Sequence, residues 1–230
     1  MDRALPAREP GDGSVRRQRG KAVGMTGPAS RGAADAAHPW QWPDDPYTVR
    51  PPWGSGHPPS AFLGLARSGA VRGRVLDVGC GTGEHVLMCA GLGLDATGID
   101  LAATAPRTTG DKARRYCAHA RFPHHDARSP ADLGERFDTV LDCGMLHLPD
   151  PDDRPAFTAG LRAVLHPGGR SLPLCFSDRE PRTLGTAGPH RLTRDDLTDT
   201  FADGLHVDCT VPATIEIILD GPASRPGSPR

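Results

Sequence analysis

The sequence predicts an α/β protein, a Rossmann-like, doubly wound and mostly parallel sheet. Three observations predict it. Short apolar runs with strand character alternate with stretches of helical period from residue 61 onward. The first run enters a glycine turn and then a helix, "VLDVGCGTGEHVL" at 75–87. The second and third runs each close on an aspartate, Asp100 and Asp126. In such sheets ligands lie at the carboxyl ends of the strands, where the strand order reverses.

The elements follow in order. "AFLGLARSG" reads as a short helix and "GRVLDVG" as a buried strand. "EHVLMCAGLG" reads as a helix with Gly91 and Gly93 near its end, and "DATGID" as the second strand. "RTTGDKARRYCAHA" is a weaker helix, preceded by Pro106, and "RFPHHDA" a poor third strand. "FDTVLDCG" is the fourth strand. The next helix is capped by Asp152 or Asp153, carries Pro155 in its first turn, and aligns Phe157, Leu161, Val164 and Leu165 before "PGG" ends it. "RSLPLCFS" is the fifth strand. In "LTRDDLTDTFADG", Thr193 and Asp196 have capping-box spacing. "LHVDCTVPATIEIILD" gives a last extended stretch.

Composition sets the limits around this body. The chain has 230 residues, 37% of them hydrophobic, with 28 glycines and 24 prolines unevenly spread. Residues 1–38 lack any apolar period and are expected to be a disordered tail, as are 221–230. Residues 39–70 hold all three tryptophans among many prolines, which suits a strap or lid over the main domain at 71–220. A net charge of −1 gives no field to attract nucleic acid or an anionic membrane, and no apolar stretch reaches the length of a membrane span. Six cysteines without a C-x-x-C pair suit reduced thiols in the cytoplasm. His124 and His125 have no second ligand pair at metal-site spacing, so no metal is expected.

The glycine turn carries the chemistry. Gly79, Gly81 and Gly83 allow positive φ and close approach of a ligand to the backbone. A dinucleotide fingerprint would need glycine at 84, where Glu84 would repel a pyrophosphate, so a nicotinamide oxidoreductase is disfavoured. No G-K-[ST] follows, which excludes a P-loop. Asp100 stands where an acid accepts both ribose hydroxyls, and Asp126 where one takes the exocyclic amino group of adenine. Ribose, adenine and a cationic tail without phosphate describe S-adenosylmethionine.

"VLDVGCGTG" followed by "GID" resembles the first two motifs of class I S-adenosylmethionine-dependent methyltransferases. "FDTVLDCGMLH" resembles their fourth-strand motif and "LRAVLHPGG" the turn before strand five. "RPPWGSGHPP" and "LCFSDREP" look like the small-molecule enzymes related to thiopurine and quinone methyltransferases. The resemblance implies the class I methyltransferase fold, S-adenosylmethionine as cofactor and a small-molecule acceptor attacking through O, S or N. It implies that Asp77, Gly79, Gly81 and Gly83 line the methionine part and Asp100 the ribose. Leu101 and Ala102 flank the adenine, Asp126 and Ala127 close over it, and Asp142 to Gly144 pass under the sulfonium.

Methyl transfer needs alignment and exclusion of water more than acid–base chemistry. A base helps a weakly acidic nucleophile, and His147 after strand four is the first candidate, with His57 second and a structural role for His147 the competing reading. Trp53 and Tyr47 are expected to cover the cofactor and to wall a flat acceptor. The family's sheet ends with further strands that this sequence hardly supplies, so the last strand is expected to be short or absent. That departure motivates a second reading, a non-catalytic adenosyl-binding relative or a truncated, inactive enzyme.

Overall fold

The computed structural model describes residues 51, 53–102, 120–180 and 189–216. Trp40, Trp42, Tyr47, Pro106, the weak helix after it and both tails lie outside the described residues.

The apolar runs form five parallel strands. They are β1 (Arg74–Val78), β2 (Asp95–Ile99), β3 (Ala120–Arg121), β4 (Phe137–Cys143) and β5 (Leu165–Leu174). Their order is β3-β2-β1-β4-β5, so the chain reverses direction between β1 and β4. Val78 pairs in register with Ile99 on one side and with Asp142 on the other. The carboxyl ends of the three central strands therefore meet at one rim.

Helices cover both faces. α1 (Ser60–Arg67) and α2 (Glu84–Gly91) bury Phe62, Val86 and Cys89 against Val75, Ala96 and Leu141. α3 (Arg154–Ala163) and α4 (Arg194–Phe201) bury Phe157, Leu161 and Phe201 against Leu76, Val140 and Ile99. Burial of each such side chain contributes about 1.5–3 kcal/mol. Thr193 caps α4 with the expected reciprocal box, its Oγ1 accepting from the Asp196 amide at 3.0 Å. Asp153 is the N-cap of α3, but its side chain makes no capping hydrogen bond. Pro155 in that first turn lacks the N–H such a cap would serve.

Three expectations change. The third strand shrinks to two residues plus one bridge between Asp100 and His124, because Pro123 has no amide to continue the ladder. "PGG" does not end α3; the helix stops at Ala163 and residues 166–169 form an irregularity inside β5, with Gly168 at φ 77°. Residues 205–216 form no strand. Leu205 and Val207 pack on the α3–α4 face while Ile215 packs on the α1–α2 face, so the segment crosses from one side of the sheet to the other.

At the amino ends of the strands Glu135 accepts from Arg74 at 2.6 Å and from Arg121 at 2.9 Å. These hydrogen bonds, Arg121's the larger, hold its carboxyl down to about 2. That network braces the sheet at the end away from the functional rim.

Candidate functional site

The turn after β1 takes the backbone form its glycines allow. Gly79, Gly81 and Gly83 have φ of 68°, 51° and 77°. A Cβ on Gly79 would lie 2.6 Å from Met145 Cγ and Sδ, so close packing also demands glycine there. Asp100 fixes the turn from β2. Its Oδ2 accepts from the Gly81 amide at 2.9 Å and its Oδ1 from Ala102 at 2.8 Å.

Beneath the turn, Asp77 is 1% exposed, and its Oδ2 lies 3.2 Å from Nδ1 of His85 on α2. Burial alone would push the imidazolium of His85 down. The charge and hydrogen bond of Asp77 reverse this and raise it to about 10, so the two form a buried ion pair. Phe62 packs edge-on to the His85 ring at 4.7 Å. Asp77 Oδ1 is buried and has no partner among the described residues. An orphaned buried carboxylate oxygen beside the turn is a place for a ligand's cationic donor.

Asp142 closes β4. Its Oδ1 accepts from the Met145 amide at 2.7 Å and its Oδ2 from Leu146 at 3.1 Å, which shapes the following turn. Complete burial pushes its carboxyl up to about 7, against the pull of those amides. His147 in that turn is 3% exposed. Its Nδ1 accepts from the Phe176 amide at 3.0 Å, which places the proton on Nε2, and its ring stacks on Phe176 at 4.8 Å. Burial, with His190 and Arg154 adding to it, lowers its pKa to about 4.

The remaining expected residues are spread more widely. Leu101 is 44% exposed, a large apolar side chain left open next to Asp100. Its carbonyl accepts from His124 Nε2 at 2.8 Å. Ala127 is buried against the α3–α4 core. Asp126 is engaged by Arg128, whose Nη2 lies 2.7 Å from its Oδ2, and this pairing lowers its pKa. Trp53 is half-buried in a turn in which the Gly54 amide donates to the Pro51 carbonyl at 2.9 Å. His57 is half-exposed and lies 3.6 Å from Glu216, remote in sequence. Among the described residues, no group of His, Cys, Asp or Glu is placed to hold a metal.

A family model described as a methyltransferase domain matches residues 75–169. The 2-heptyl-1-hydroxyquinolin-4(1H)-one methyltransferase of Mycobacteroides abscessus is 30% identical over 174 residues, 75% of this chain and 76% of that protein. A solved structure described as "Conversion of a Disulfide Bond into a Thioacetal Group during Echinomycin Biosynthesis" superposes with a TM-score of 0.64 at 35% identity. It covers 74% of this chain and 81% of that one. This chain belongs to the class I S-adenosylmethionine-dependent methyltransferases. A magnesium protoporphyrin IX methyltransferase from Synechocystis with bound SAH, 21% identical with a TM-score of 0.53 over 63% of this chain and 69% of that one, shares the fold.

The methyltransferase's cofactor is S-adenosylmethionine, and the rim fits it. The orphaned Asp77 Oδ1 suits an ammonium group, the bent backbone at Gly79 to Gly83 suits close contact, and the Asp100 carboxylate at the end of β2 is of the acceptor type that ribose hydroxyls need. When bound, the cofactor supplies a methyl group already activated by positive sulfur. The chain's residues have to orient it and exclude water.

Two features of this methyltransferase site escape a reading of the sequence. His85 is an unremarked histidine in an apolar helix until the fold sets it against Asp77, eight positions earlier. Met145 offers only its place after strand four as a signal, yet it packs over Gly79.

Proposed function

We propose that this methyltransferase acts on a small, flat acceptor through an ionisable oxygen or sulfur, nitrogen being the less supported nucleophile. The support is chemical. The related hydroxyquinolone enzyme is named for an acceptor with an N-hydroxyl group, and the echinomycin structure for chemistry at a disulfide. Phe176, stacked on His147 after β5, supplies aromatic surface near the rim.

In this reading Asp77, Gly79, Gly81 and Gly83 surround the methionine part, Asp100 holds the ribose, and Leu101 and Ala127 sandwich the adenine. Asp126 reaches the adenine amino group only if it shares its carboxylate with Arg128. Asp142 shapes the turn beneath the reacting centre. His147 positions that turn through Phe176; service as a base would require Nδ1 to leave the Phe176 amide. Residues 39–70 form the strap and 71–220 the catalytic domain. The described cysteines, Cys80, Cys89, Cys143, Cys175 and Cys209, are all unpaired, which supports a cytoplasmic setting. Among the described residues no helix is long and apolar enough to cross a membrane.

The observation that carries the reading is the orphaned, buried Asp77 oxygen under a turn of three left-handed glycines. Calorimetry with S-adenosylhomocysteine, followed by its release from S-adenosylmethionine with phenols, thiols and N-hydroxyquinolones, tests it. Tight binding with turnover of at least one class is expected. Binding without turnover across the whole panel would favour the non-catalytic reading.

A further inference from the structure

Arg154 is the first residue of α3, on the loop that leaves the functional rim after β4. It is 6% exposed, and its Nε is buried without a hydrogen-bond partner. Among the described residues no carboxylate lies within the 4.0 Å of an ion pair from its guanidinium. The contrast is Arg191, whose Nε likewise makes no well-aligned hydrogen bond but has the Glu180 carboxylate 2.8 Å away. Asp196 feels the Arg154 charge from beyond ion-pair distance. A buried cation without a counter-ion in contact is unfavourable, so its retention calls for a cause.

Its surroundings define a place. The Arg154 amide donates to the Asp150 carbonyl at 3.2 Å, and Asp150 Oδ1 lies 3.2 Å from His190 Nε2. The His190 amide donates to the His147 carbonyl at 2.9 Å, and the amide of Phe176 donates to His147 Nδ1. These bonds link the first turn of α3 to the segment that carries His147 and Phe176. Its charge is felt at His147, Cys175 and Asp196, and Cys175 also feels Asp142 at the end of β4. Asp196 is committed to Thr193, accepting from its amide at 2.7 Å and its hydroxyl at 2.8 Å.

We propose that Arg154 is the counter-charge for an acceptor that binds as an anion, its reacting oxygen or sulfur already ionised. This rests on the function proposed above and adds to it the charge state of the substrate. An acceptor atom that arrives ionised has no proton to lose. Its lone pair forms the new bond to the methyl carbon, the carbon–sulfur bond of the cofactor breaks with its electrons going to sulfur, and the two opposite charges cancel. A free base is then unnecessary, which agrees with His147 having its Nδ1 engaged.

The test uses 4-nitrophenol and 4-nitrothiophenol, whose anions and neutral acids differ in colour. Each is titrated with the full chain saturated in S-adenosylhomocysteine, whose own binding is checked first by calorimetry. The wild type is expected to bind the coloured anion of at least one probe. Arg154→Met is expected to bind it about tenfold more weakly or more while keeping its affinity for S-adenosylhomocysteine and holding or raising its melting temperature. Arg154→Lys should restore part of the anion binding. Binding of the neutral acid, binding of neither probe, equal anion affinity in Arg154→Met, or a marked fall in that variant's melting temperature would each overturn the proposal. Failure of the wild type to bind S-adenosylhomocysteine would instead overturn the cofactor-site assignments on which it rests.

Discussion

His85 Nδ1 and Asp77 Oδ2 lie 3.2 Å apart, and the two side chains are 11% and 1% exposed. One comes from the helix that follows the glycine turn and the other from the strand that precedes it, so the pair clamps the two ends of the turn.

Removing one partner of that pair leaves the other buried alone. His85→Leu is expected to destabilise the fold by about 3–5 kcal/mol, measured as a shift in the urea midpoint. His85→Asn keeps a hydrogen-bond donor and should cost less. A His85→Leu protein as stable as the wild type would show that the pair is not formed.

The same pair sets a pH dependence. His85 is raised from 6.5 to about 10, so the folded chain keeps a proton that the unfolded chain releases. Stability is therefore complete below 6.5 and lost as pH rises toward 10. Asp142, raised from 3.8 to about 7, gives the same sign lower down. Glu135, held down to about 2, opposes both only below its ordinary value of 4.5, and solvent screens much of its effect. His147, lowered from 6.5 to about 4, has the opposite sign and offsets Asp142 between those values. Stability should therefore change little from about pH 5 to pH 6.5 and fall from there toward pH 9, by up to about 1.4 kcal/mol per pH unit for each proton, read as a falling melting temperature. His85→Asn should flatten the limb above neutrality, and Asp142→Asn should leave stability rising with pH between about 4 and 6.5, the His147 contribution alone.

Asp100→Ala is expected to weaken S-adenosylhomocysteine binding by about 1–3 kcal/mol, because it removes both the proposed ribose acceptor and the anchor of the Gly81 amide. His147→Ala should change that affinity far less. Equal losses by calorimetry would contradict the assigned roles.

Gly79→Ala places a methyl group against Met145 on a residue with φ of 68°. A loss of about 1–3 kcal/mol in stability is expected, with weaker cofactor binding. Adding Met145→Ala should recover part of the packing cost but not the backbone strain.

The glycine turn, Asp100 and the strand–helix alternation were legible because each depends on local rules: positive φ, strand period and the acid that closes a strand. His85 was not, since its partner comes from a different element and nothing in "EHVLMCAG" marks it as charged. His147 looked available because it follows strand four, but its engagement depends on Phe176, 29 residues later. Residues 205–216 have strand-like composition, yet Val207 and Ile215 find cover on opposite faces, a choice that only the assembled sheet presents. Arg154 reads as an ordinary first-turn arginine until burial and the want of a counter-ion set it apart.

The crossing of 205–216 ties distant parts of the sequence together. Ile215 rests on the cluster that contains Phe62, and Glu216 reaches His57. A protease cut or an early stop within that segment would thus loosen the first helix as well as the last, and damage at the carboxyl end would be felt where folding order begins.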